Sequence, residues 1–219
     1  MITQLIKLDA YTMKPLWKMA VGFLVVPLIV GIFANPFNSI MIMMTFVAFL
    51  LNIVFSIGEK SHFDKLYGTL PIQRRQIVIG RYLFALLVLC GFAICSYGIF
   101  LLLGLIHGEI QLLEGFAFLC ISTLIAVFFI SVQFPVYFRF DYSKAAFMSV
   151  IPYLICFAIG APVFSKLMEN KAFNTSVMKL VMYFNEHLVF LIILTFLGML
   201  ILICISYLLS SYMMHKKQG

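Results

Sequence analysis

The chain has 219 residues, of which 64% are hydrophobic and only 11% charged, and its mean hydropathy of +1.12 excludes an ordinary water-soluble domain. The formal charge of +7 is confined to the segments between long apolar runs. Hydrocarbon supplies no water to backbone N–H and C=O groups, so runs of about 20 apolar residues must be helices. The expected fold is therefore all-α, a polytopic membrane protein whose residues 1–219 form one transmembrane domain.

The N-terminal arm, residues 1–15, sets Ile2, Leu5, Ile6 and Met13 on one helical stripe and Lys7 and Lys14 on another, the pattern of an amphipathic helix lying in the interface. Asp9 falls within the apolar stripe, where a carboxylate is costly unless an arginine or lysine of another segment pairs with it. The interspersed lysines do not read as a signal peptide. Pro15 permits a bend into the first apolar run. Six spans follow: Leu16 to Ala34, Ser39 to Gly58, Tyr82 to Ile106, Leu112 to Phe138, Ala145 to Phe164, and His187 to Met213.

Twelve lysines and arginines lie on one side of these spans, in the arm, the loops after spans two and four, and the tail. Lys166, Lys171 and Lys179 lie on the other. The positive-inside rule places the richer side, and both termini, in the cytoplasm, where basic residues also suit anionic membrane lipid. The outer connections are short except residues 165–186, where Val177, Leu180, Val181 and Phe184 recur at helical spacing. That segment reads either as an interfacial or re-entrant helix or as an ordinary amphipathic loop. Asn174 opens an N-T-S sequon, a match frequent by chance.

Mid-membrane carboxylates or histidines are the usual markers of ion coupling, and none falls there. Asn52 and Gln133 are the pathway-polar candidates, and their bland reading is a hydrogen bond between helices. Gln133, two residues before Pro135, also allows a locally broken helix. Cys90, Cys95, Cys120, Cys156 and Cys204 lie inside spans without metal-ligand spacing and read as packing residues. No triad, H-E-x-x-H helix or phosphate-binding loop is present, so neither catalytic residues nor a metal site is assigned. Any work done by such a bundle has to be powered through another protein.

The docking element is expected in residues 59–81, "EKSHFDKLYGTLPIQRRQIVIGR". Phe63, Leu66, Tyr67 and Leu70 recur at i, i+3, i+4, i+7, which predicts a short helix with one apolar side. Pro71 then suits the first turn of a helix running through Arg74, Arg75 and Arg81 into span three.

The run Glu59, Asp64, Leu66, Thr69-Leu70-Pro71, Arg74, Ile77-Val78 and Arg81-Tyr82 resembles the signature of type-2 ABC exporter permeases. Leu5-Ile6-Lys7-Leu8-Asp9 resembles that family's N-terminal start. Pro135 to Phe140 with Lys144-Ala145 resembles its fourth-to-fifth connection, although Asp141 stands where a glycine is expected. The resemblance implies a bacterial cell-membrane subunit, itself binding no cofactor, that pairs with a second permease, identical or paralogous, and with separate ATPase subunits carrying ATP and magnesium. It assigns Phe63, Leu66 and Tyr67 as the knob of a coupling helix, Asp64 and Lys65 as its rim, Leu70 and Pro71 as its turn, and Arg74 and Arg75 as contacts to the ATPase or lipid. Arg139, Asp141 and Lys144 form a second cytoplasmic contact, and Asp9 with Lys7 marks the interfacial helix.

Small permeases of this kind often export amphipathic peptides, and a composition reminiscent of low-GC Gram-positive bacteria points to cytolytic peptides of the phenol-soluble modulin type; lipids or hydrophobic drugs suit the bundle equally. Two other classes remain open, an ion-coupled secondary transporter or channel and a non-transporting membrane scaffold. Nothing in the chain points to nucleic acid.

Overall fold

Asn35 starts the second membrane helix: its Oδ1 accepts from the Phe37 N–H at 3.0 Å, and Pro36, which has no N–H to leave unsatisfied, occupies the first helical position. Local rules of this kind fix the ends of several elements in the computed structural model, which describes residues 2–13, 17–33, 35–60, 74–108, 112–140 and 142–216. In chain order the described helices are α1 (Ile2–Met13), α2 (Trp17–Phe33), α3 (Pro36–Lys60), α4 (Arg74–His107), α5 (Leu112–Arg139), α6 (Tyr142–Leu154), α7 (Ala161–Glu169), α8 (Lys171–Glu186) and α9 (Leu188–Lys216). A π-helical turn, Ile155–Gly160, joins α6 to α7 shortly after Pro152. Among the described residues there is no strand. Gly108, at φ 76°, closes α4 in the left-handed conformation that glycine adopts without strain.

Four stretches are long and apolar enough to cross a bilayer: Arg75–His107, Leu112–Arg139, Lys144–Glu169 and Leu188–Met214. They correspond to the third to sixth expected spans and make this a membrane protein. Gly22–Phe33 and Pro36–Asn52, in the first two expected spans, are apolar but shorter. Lys144–Glu169, in the fifth expected span, remains helical to Glu169, beyond the expected end at Phe164, because Asn170 is the first residue that breaks it. Asn170 then caps α8, its Oδ1 accepting from the Ala172 N–H at 3.1 Å. The 165–186 segment is therefore helical on both sides of Asn170, and α8 buries none of its residues.

With 34 residues, α4 is about 50 Å long and overshoots a hydrocarbon core of about 30 Å. Its first turns, bearing Arg74, Arg75 and Arg81, thus project toward one end of the bundle, here termed the basic end. The centre of the bundle is α5, packed against α3, α4, α6 and α9. Its Ala126, Phe129, Ile130 and Phe134 meet Met44, Val47 and Leu51 of α3 and Tyr82, Ala85 and Leu89 of α4 in one buried cluster. Pro135 lies inside α5, which continues unbroken to Arg139, so the locally broken helix that Gln133 and Pro135 allowed does not occur. In a bilayer such contacts are held by close packing and hydrogen bonds, because lipid is as apolar as leucine.

Small residues set the closest approaches. A β-carbon at Gly115 would lie 2.2 Å from the Phe100 ring, which is itself buried and packed 5.1 Å from Phe37. Gly115→Ala is expected to cost about 1–3 kcal/mol by overpacking, read as a lower thermal midpoint in lipid nanodiscs. The equivalent change at Gly31 meets the buried Leu103 side chain and the Ser39 β-carbon, at 3.2 Å, and is expected to cost a similar amount.

Candidate functional site

At the basic end, α1 lies across the first turns of α4. Gly80 makes this possible: a β-carbon there would approach the Leu5 β-carbon to 3.2 Å, and Leu5 is buried in the contact. One turn further along α1, Asp9 is only 2% exposed. Burial pushes its carboxyl above the usual aspartate range, and the nearby Arg81 guanidinium pulls it partly back. Arg81 is thus the cation that the apolar setting of Asp9 required. The same guanidinium lies 4.5 Å from the centre of the Phe55 ring on α3, a cation–π contact. One arginine therefore ties α1, α3 and α4 together where the chain passes into residues 61–73.

Of the residues assigned to coupling, Phe63, Asp64, Lys65, Leu66, Tyr67, Leu70 and Pro71 lie outside the described residues. Arg74 opens α4, and Arg75 beside it is exposed. Arg139 ends α5, exposed, with its guanidinium 5.2 Å from the Phe140 ring. Lys144 and Lys7 are exposed, while Asp141 lies outside the described residues. Asn52 is half-buried on α3. Gln133, 1% exposed, donates through Nε2 to the Tyr153 hydroxyl at 2.7 Å and so joins α5 to α6. A second bond of this kind joins Tyr137 to Ser149 at 2.9 Å.

A set of hydroxyls that the sequence did not mark lies further in. Tyr82 on α4 contacts both Ser206 and Ser210 of α9, and Ser206 donates to the Ser131 carbonyl on α5. Two signals for it existed: Ser206 and Ser210 are one helical turn apart, and Ser131 lies four residues before Pro135. Aromatic rings extend this region across the bundle. Phe55 stacks on Tyr137 at 4.6 Å, Tyr82 meets Phe134 edge-on at 4.9 Å, and Tyr153 stacks on Phe129 at 4.1 Å.

Nearer the opposite end, a cavity of about 790 Å³ opens between α3, α5, α9 and the π-helical turn. Met41, Thr45, Phe128, Cys156, Gly160 and Ile201 are among its lining residues, and its walls are nearly all apolar. Thr45 offers it little polarity, since its hydroxyl donates to the Met41 carbonyl.

Among the described residues no group of three or more histidines, cysteines, aspartates or glutamates could hold a metal. The fold and this face define a polytopic membrane protein with a basic end. Residues 4–215 match the model of the family described as ABC-2 family transporter protein, and the chain belongs to that family. It is accordingly a permease subunit of an ABC transporter, and membership implies an ABC ATPase as partner. No curated protein and no solved structure was found to match it.

Proposed function

We propose that the chain is the six-span permease of an ATP-driven exporter, with both termini cytoplasmic, that moves amphipathic or hydrophobic peptides, including those of the phenol-soluble modulin kind, out of a bacterial cell. The family match over residues 4–215 carries this reading. A second permease, identical or paralogous, completes the membrane part, and ATP with magnesium stays on the ATPase subunits. Residues 61–73 press on the ATPase, with Phe63, Leu66 and Tyr67 as the apolar knob, Asp64 and Lys65 beside it, and Arg74 and Arg75 as the adjoining cations. Arg139, Asp141 and Lys144 make the second contact. The Asp9–Arg81–Phe55 junction supports such a role, because force applied to a loop is transmitted only if the helix leaving it is braced.

The apolar cavity of about 790 Å³ supports the substrate class, its size falling within the roughly 300–1,000 Å³ typical of ligand sites. The test is co-expression with an ABC ATPase in proteoliposomes. The ATPase is expected to co-purify with the permease and to be stimulated by an amphipathic helical peptide. Phe63→Asp with Tyr67→Asp should abolish co-purification while leaving membrane insertion intact. Flux driven by an ion gradient, with the permease alone and no ATPase, would overturn the proposal.

A further inference from the structure

Proline has no N–H, so Pro135 cannot donate to the carbonyl four residues before it, that of Ser131. In a membrane such a freed carbonyl needs a donor from a neighbouring helix. Ser206 Oγ, on α9, donates to it at 2.7 Å. A serine hydroxyl has a single proton; having given it to Ser131, Ser206 can only accept from Tyr82 Oη, 2.5 Å away. Tyr82 has then given its own proton and must accept from Ser210 Oγ at 2.8 Å. The direction of every bond is thereby fixed, from Ser210 through Tyr82 and Ser206 to the Ser131 carbonyl.

Two further observations single out this point in α5. The Ser131 hydroxyl is buried and has no hydrogen-bond partner, a cost that another arrangement of the helix can relieve. Tyr82 also follows Arg81 directly, so any displacement of the start of α4 moves the Tyr82 hydroxyl relative to Ser206.

We infer that Pro135 is a hinge in α5 and that Ser206, oriented by Tyr82 and Ser210, is the latch that fixes its bend. Movement of α4 at the loop end pulls Tyr82 off Ser206, which loosens the hold of Ser206 on the Ser131 carbonyl and lets the basic end of α5 swing more widely. The use of this motion in transport rests on the function proposed above; the latch itself is a property of this chain and is tested without transport.

The experiment uses the purified full chain in nanodiscs, with the five native cysteines replaced by alanine. Spin labels at Arg139→Cys and Tyr212→Cys, both exposed positions, report the separation of the ends of α5 and α9 by pulsed EPR. Ser206→Ala is expected to broaden the distance distribution at least twofold. Tyr82→Phe should broaden it less, because Ser206 still donates to Ser131. Pro135→Ala restores the missing N–H, narrows the distribution, and should make a subsequent Ser206→Ala silent. Equal broadening by Ser206→Ala with and without Pro135, or no broadening at all, overturns the latch.

If Ser206→Ala alone does not fold, the Pro135→Ala/Ser206→Ala pair should fold, and failure of that pair also overturns it. In proteoliposomes with the ATPase, Pro135→Ala should keep ATPase binding but lose most peptide transport, and normal transport by it overturns the hinge. Absence of ATPase binding by the unmutated chain, with the EPR pattern as expected, counts against the transport reading alone.

Discussion

Replacing Arg81 by glutamine is expected to release α1 from the bundle. The substitution removes the positive charge that pulls the Asp9 carboxyl back toward its ordinary pKa, while Asp9 stays buried. Weakening the electrostatic support of a buried charge typically costs about 0.5–3 kcal/mol, and the partial exposure of Arg81 argues for the lower end. The thermal midpoint should fall, and trypsin should cut at Lys7, which lies on the exposed side of a helix held only by its buried face.

The pH dependence has a definite sign. Burial already raises the Asp9 pKa above its ordinary 3.8, and loss of Arg81 raises it further. The folded chain then binds the proton more tightly than the unfolded one. The associated stability is fully present below about pH 3.8 and is lost as pH rises through the folded value. The deficit of Arg81→Gln should therefore be greatest at neutral pH and shrink on acidification, and Asp9→Asn in the same chain should recover most of it. An Arg81→Gln protein that resists trypsin at neutral pH and melts independently of pH would rule out the pairing.

Phe55→Ala should be at least as damaging. Its ring is enclosed by Tyr137 at 4.6 Å, Phe134 at 5.0 Å, Phe138 at 5.8 Å and the Arg81 guanidinium at 4.5 Å. These neighbours belong to α4 and α5 and cannot collapse together into the space, so a loss of about 3–5 kcal/mol is expected from the cavity. Combined with Arg81→Gln, the total should fall short of the sum by about 0.5–2 kcal/mol, since both changes remove the same cation–π contact. Strict additivity in a nanodisc unfolding series would show that the ring and the guanidinium do not interact.

Asp9 shows how far the sequence reached into this face. Its place within an apolar stripe demanded a cation, but any of several basic residues would have met that demand. Arg81 was visible as a cation on the helix entering span three and as part of the family signature; its role beside Asp9 depends on Gly80 letting α1 lie close enough against α4. Gln133 read as a neutral polar group with a bonding role or a pathway role, and the partner that distinguishes it, Tyr153, is twenty residues away on another helix. Ser206 and Ser210 attracted no notice because serine is common in membrane helices and its meaning comes from what lies opposite.

What the sequence determined by itself is what depends on solvent and on near neighbours along the chain: helix as the form that hydrocarbon imposes on long apolar runs, the apolar stretches, and the local caps at Asn35, Gly108 and Asn170. These follow from groups within a few residues of one another. The tertiary structure alone decided which charge meets Asp9, which hydroxyl serves the carbonyl freed by Pro135, and where the apolar cavity opens. Lipid gives no preference for one helix neighbour over another, so those pairings are set by close packing and by directed bonds between helices far apart in the chain.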